Sequence, residues 1–152
     1  MRKHECHVVV ADGDLHAAAS LSRDLTGAGF EVVTVTSGAD VVRQSVVYPP
    51  DVLIMDVDLP DMDGFDVCSY LRSEYEDVPM IIIMMSEPGD DLTRTSFGRM
   101  VDFVGGDFFF AKPCDARLVV KLVNELVAET PRRSTPIAAA VFPTRAAWPT
   151  AR

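Results

Sequence analysis

Long apolar runs are scarce in this chain of 152 residues. The longest, MIIIMM at Met80 to Met85, stops far short of the roughly 20 residues that a membrane-spanning helix needs, so no membrane partner is expected. Cysteine is scarce too. Cys6, Cys68 and Cys114 stand far apart, in no paired or metal-ligand spacing, and their odd number argues against a disulfide framework. The N-terminus, MRKHECHVVVADGD, has basic residues but neither a long apolar segment nor a small-residue cleavage site, which speaks against export. A reducing cytoplasm is the expected compartment. Positive charge is also short, with 14 Lys and Arg against 23 Asp and Glu and a net charge of −9. Pro131 to Arg152 hold four arginines and no acid, and taking that +4 from the total leaves −13 on residues 1–130. So acidic a body repels nucleic acid, whose binding rests on neutralised phosphates. No direct nucleic-acid contact is expected.

What is present suits one soluble domain: 48% apolar and 24% charged residues, in a length that supports a single core. Short apolar runs alternate with helical patterns. Cys6–Ala11, Phe30–Val35, Asp51–Val57, Pro79–Met85 and Asp107–Ala111 are rich in branched or aromatic residues and bounded by Gly, Pro, Asp or Ser, which predicts five strands. Between them, Asp14 is placed to cap a helix with Ala18, Leu21, Leu25 and Ala28 on one face. Further helices are expected over 38–47, 64–75, 91–103 and 115–129, the last behind Pro113 with Asp115 as its cap. Continuously apolar strands separated by helices predict a parallel sheet covered on both faces, an α/β doubly wound sandwich. After residue 130 the pattern stops. Residues 131–152, with four prolines and six alanines and no apolar periodicity, are expected to form a flexible tail behind a domain of residues 1–130.

The stretch LIMDVDLPDMDG carries Asp56, Asp58, Asp61 and Asp63 directly after an apolar run. A calcium loop needs acids at its first, third and fifth positions, and starting at Asp56 or Asp61 puts Pro60 or Phe65 at the fifth. That spacing excludes it. Pro60, Asp61, Asp63 and Gly64 suit a turn, whereas Asp56 abuts the apolar run. In open parallel sheets, ligands gather at the carboxyl ends of the strands. The first strand delivers Asp12 there, the third Asp56, the fourth Ser86 and the fifth Lys112. Carboxylates can hold Mg²⁺ through oxygen. A hydroxyl and an ammonium can grip phosphoryl oxygens, and a carboxylate can act as nucleophile. The set suits phosphoryl transfer.

The landmarks VVVADGD, LIMDVDLPDMDG, IIIMMS and FFFAKP, in this order, resemble the receiver domain of response regulators in two-component signalling over about residues 5–129. The resemblance implies a flavodoxin-like five-stranded sheet in the order 2-1-3-4-5 with helices on both faces. It implies that Asp56 accepts phosphate, that Asp12, Asp56 and the backbone carbonyl of Asp58 hold Mg²⁺, and that Lys112 contacts the phosphate. Ser86 matches the switch hydroxyl and Phe109 the switch aromatic. A histidine kinase or phosphotransfer protein would supply the phosphate, a protein effector would read it, and a homodimer is compatible with the family. An aspartyl phosphatase of the haloacid dehalogenase type, suggested by Asp56-Val57-Asp58, is set aside because that family carries its motif after the first strand. No enzyme is expected.

The chain departs from the family pattern at several places. Gly13 stands where a second acid is usual, which predicts a weaker Mg²⁺ site, unless Asp14 swings inward. Glu87 and Asp58 add acids near the acceptor, as further ligands or as repulsion toward a phosphoryl donor. The stretch from Ser86 to Lys112 is about four residues longer than usual, enlarging SEPGDDLTRTSFGRM, in a region that faces partners. The competing expectation is a pseudo-receiver, a binding module with the fold but without the phosphate switch.

Overall fold

A computed structural model of the chain describes residues 5–87 and 94–129, the backbone alone at 94–97. The tail expected at 131–152 and residues 88–93 of the enlarged stretch lie outside the described residues. The elements run β1 (His7–Ala11), α1 (Leu15–Gly27), β2 (Glu31–Val35), α2 (Gly38–Val47), β3 (Val52–Asp56), α3 (Gly64–Glu74), β4 (Ile81–Ser86), α4 (Arg94–Val104), β5 (Phe108–Ala111) and α5 (Ala116–Glu129). All strand pairs are parallel, and the order is β2-β1-β3-β4-β5. Among the described residues, no helix is long and apolar enough to cross a membrane.

Alternate residues of the central strands feed two cores. Val9, Ala11, Leu53, Met55, Ile82 and Met84 pack with α2, α3 and α4 through Val41, Val67, Leu71 and Val101. On the other face Val8, Val10, Ile54 and Ile83 pack with α1 and α5 through Leu21, Leu25, Val119, Val123 and Val127. Each fully buried Val, Leu or Ile contributes about 1.5–3 kcal/mol, so the apolar strand pattern commits the chain to covering both faces. The expected uniform burial holds for β1 and β3. It fails at the two outer strands, where β2 exposes Glu31 and Thr34 and β5 exposes Phe108. An outer strand has a neighbour on one side only.

Local chemistry sets the helix ends. Asp14 accepts the amides of His16 and Ala17 and starts α1, and Asp115 accepts the Arg117 amide at the head of α5. Past α4, Gly105 turns the chain at φ +86, a left-handed conformation that favours glycine. Beside it, Arg72 of α3 forms a staple. Its Nε donates to Gly105 O at 2.7 Å, and its terminal nitrogens donate to Met80 O and the Asp107 carboxylate at 2.6 and 2.7 Å. Asp107 in turn accepts the Ile82 amide. One guanidinium thus ties α3 to the entries of β4 and β5, at the edge of the sheet away from the strand carboxyl ends.

Candidate functional site

Parallel pairing brings four strand ends to one rim. Asp56 is the last residue of β3 and Ser86 the last of β4, while Asp12 and Lys112 each follow their strands by one residue. The Lys112 amide donates to Ser86 O at 2.8 Å, the Val57 amide to Met85 O at 2.8 Å and the Asp12 amide to Val35 O at 3.2 Å. The backbone ladder therefore continues into the site and holds its side chains in register. Asp12, Asp56 and Ser86 are the buried polar residues of this rim, at 3%, 7% and 5% exposure.

The ammonium of Lys112 bridges the two acids. It lies 2.6 Å from Asp12 Oδ2 and also donates to Asp56 Oδ2. The remaining oxygens are turned to the chain, with Asp12 Oδ1 accepting the Asp14 amide at 2.8 Å and Asp56 Oδ1 accepting the Asp58 amide at 2.9 Å. Burial pushes the Asp56 carboxyl above its ordinary value of 3.8, more than the bonds from Lys112 and Asp58 pull it down. Burial also works against the Lys112 charge, but the hydrogen bonds to Asp12 and Asp56 outweigh it and raise the ammonium pKa. The rim is a desolvated carboxylate pair sharing one fixed cation.

Among the described residues, no three His, Cys, Asp or Glu side chains gather closely enough to hold a metal ion. A divalent cation here would rest on Asp12, Asp56, the Asp58 carbonyl, water and phosphoryl oxygens. That set fits Mg²⁺, which is held through one or two carboxylates and keeps several waters. The two carboxylate oxygens already converge on one positive centre.

Backbone shape does not require glycine at 13. Its φ is not positive, and a Cβ there would meet Pro60 Cδ at 3.2 Å and the Asp58 carbonyl at 3.9 Å. Asp14 does not swing inward to replace the missing acid. It is exposed, and its carboxylate is engaged as the α1 cap. The side chains of Asp58 and Glu87 are also directed to solvent. Ser86 Oγ donates to Glu87 O at 3.3 Å. Phe109 lies opposite Met84, one strand step short of the rim, half-buried against the α2–α3–α4 core.

Sequence reasoning took Asp61 for a turn former and missed its reach. Asp61 Oδ1 accepts the Gly38 amide at 2.8 Å and Oδ2 accepts the Ala39 amide at 2.9 Å. Ser37 takes the next amide, that of Asp40. The loop after β3 is closed on itself as well, through Gly64 N to Val57 O at 2.7 Å and an Asp58–Asp63 bridge. Only glycine fits at 64, because a Cβ would stand 2.7 Å from Asp56 O. The one sequence signal for the Asp61 contact is a carboxylate in a loop whose neighbours already satisfy the turn.

The lysine-bridged carboxylates sit at the carboxyl ends of the strands of a doubly wound sheet, where such sheets bind their ligands. The chain belongs to the response regulator receiver domain family, whose profile matches residues 8–124. The transcriptional regulatory protein PrrA of Mycobacterium tuberculosis is 37% identical over 84 residues, 55% of this chain and 36% of PrrA. The transcriptional regulatory protein KdpE of the same species is 33% identical over 109 residues, 69% of this chain and 48% of KdpE. The chain thus spans about half or less of these curated relatives. A CheY-like receiver domain protein from Methanospirillum hungatei superposes with a TM-score of 0.72 at 18% identity, covering 82% of this chain and 94% of that one. CheY4 of Vibrio cholerae gives 0.69 at 24%, covering 80% and 98%. At such identities these likenesses establish the fold alone.

Proposed function

We propose that this receiver accepts a phosphoryl group on Asp56 from a phosphohistidine of a sensor kinase or phosphotransfer protein. The observation that carries the reading is the Lys112 ammonium shared by Asp12 and Asp56. A carboxylate oxygen of Asp56 attacks phosphorus in line, and the phosphorus–nitrogen bond breaks with its electron pair going to the imidazole. Lys112 stays beside the acceptor and neutralises charge on the transferring group. Mg²⁺, when bound through Asp12, Asp56 and the Asp58 carbonyl, supplies further charge neutralisation at the phosphoryl oxygens. Ser86 Oγ then leaves Glu87 O for a charge-assisted hydrogen bond to the new oxygens, and Phe109 rotates into the room it vacates. The output is a change of protein-binding face in a cytoplasmic regulator without turnover chemistry of its own. The relatives named above are transcriptional regulators as whole proteins. For residues 1–130 the charge of −13 favours a protein effector over direct contact with nucleic acid.

Incubation with acetyl phosphate and Mg²⁺, or with beryllofluoride, should load the wild type and not Asp56→Asn. Equal loading of both would move the acceptor elsewhere. A pseudo-receiver is the second reading, favoured by Gly13, which leaves the rim without a second acid after β1. Loading of neither protein would select it.

A further inference from the structure

Helix α4 meets the Phe109 ring of β5 at a glycine. A Cβ on Gly98 would lie 3.0 Å from Phe109 Cε1, 3.4 Å from Cζ and 3.8 Å from Cδ1. The edge of the Phe109 ring therefore occupies the room that any other residue at 98 would claim. Gly98 has no positive φ, so its backbone does not call for glycine, and an interior glycine weakens a helix. The space is what glycine supplies.

Ser86 and the Phe109 ring lie on a common face of the sheet. Met84, Ser86, Phe109 and Ala111 share one face of the β4–β5 pair, because Met84 faces Phe109 and Ser86 faces Ala111 at a two-residue interval.

We propose that Gly98 is a positioning residue for the switch: it seats Phe109 in the unmodified protein, and a methyl there would push the ring along β5 toward Ser86, into the place it takes after phosphorylation. The inference rests on the switch reading above and adds the element that sets its resting balance. Because coupling is reciprocal, a substitution that favours the switched conformer must raise affinity for the phosphoryl mimic by the same factor.

The test uses the full chain with labelled phenylalanine, comparing wild type, Gly98→Ala, Phe109→Leu and the double variant. In Gly98→Ala without ligand, the Phe109 ring resonances should move in the direction that beryllofluoride moves them in the wild type. Beryllofluoride with Mg²⁺, followed by fluorine NMR, should bind roughly fivefold more tightly, at the low end of such couplings. In the Phe109→Leu background the gain should vanish, which a general stiffening of α4 would not produce. Unmoved ring resonances, weaker binding, or a gain that survives Phe109→Leu would each overturn the proposal. If the wild type takes up no beryllofluoride, the switch reading fails and the bias with it, and the ring resonances of Gly98→Ala alone decide whether Gly98 seats Phe109.

Discussion

Asp61 and Gly38, 23 positions apart, are joined by a 2.8 Å hydrogen bond from the Gly38 amide to Asp61 Oδ1. With the second bond from Ala39, a residue of the β3–α3 loop serves the first two amides of α2, beside its Ser37 cap. Asp61→Ala should cost about 1–2 kcal/mol, the range for losing a cap, read as a lower urea midpoint at unchanged slope. Asp61→Asn keeps one acceptor and should lose about half as much. Equal stability of Asp61→Ala and wild type would show that water replaces the carboxylate fully.

The raised Asp56 carboxyl predicts a stability that depends on pH in a definite sense. A folded-state pKa above the ordinary value means that folding favours the protonated acid, so the benefit is present in acid and is lost as pH rises through the folded value. At pH 7 the ionised, buried carboxylate is a burden. Asp56→Asn should then be more stable than wild type by about 1 kcal/mol. The difference should shrink as pH falls through the raised pKa and vanish below 3.8. Paired thermal melts from pH 3 to pH 8 check it (roughly the range in which carboxylates titrate), and a difference that grew toward acid would reverse the assignment.

Gly13→Asp should tighten Mg²⁺ binding by roughly tenfold, worth about 1.4 kcal/mol. The backbone accepts the change, and Pro60 has only a few tenths of an ångström to yield. Without metal, the added charge beside Asp12 and Asp56 should lower stability by about 1 kcal/mol. Calorimetric titration of both proteins with Mg²⁺ decides the point, and equal affinities would mean that the new carboxylate does not reach the cation.

Arg72→Lys should lower stability by about 2 kcal/mol. A lysine keeps the charge but not the fork that serves Gly105 O, Met80 O and Asp107 at once. Hydrogen exchange should show the loss at the Ile82 amide, whose acceptor is Asp107. Unchanged protection at Ile82 would show that Asp107 holds that bond without its arginine.

The rim is legible in the sequence because its grammar is local. An apolar run announces a strand, and the first polar residue after it falls at the carboxyl end, which finds Asp12, Asp56, Ser86 and Lys112 before any coordinates. Helix starts are legible for the same reason, Asp14 and Asp115 standing just ahead of their helices. Contacts made across the fold leave no such trace. Arg72 in the last turn of α3 reads as a solvated charge, and only the approach of Gly105, Met80 and Asp107 makes it a staple. The half-exposure of β5 also escapes, since FFFA looks like a core strand whether or not a further strand lies beyond it. The four crowded aspartates show both cases: Asp56 and the Asp63 cap of α3 follow from local position, whereas the Asp61 contact follows from where α2 happens to lie.

The strand order has a consequence during synthesis. β1 leaves the ribosome first, yet it is flanked by β2 and β3, so the sheet builds outward from the oldest segment and adds β4 and β5 on one side. The face carrying Val8, Val10, Ile54 and Ile83 waits longest, because Val119, Val123 and Val127 of α5 complete its cover. A nascent chain halted before Ala116 therefore has that face covered by α1 without α5, and the apolar surface left open is prone to aggregate and fit for capture by a chaperone.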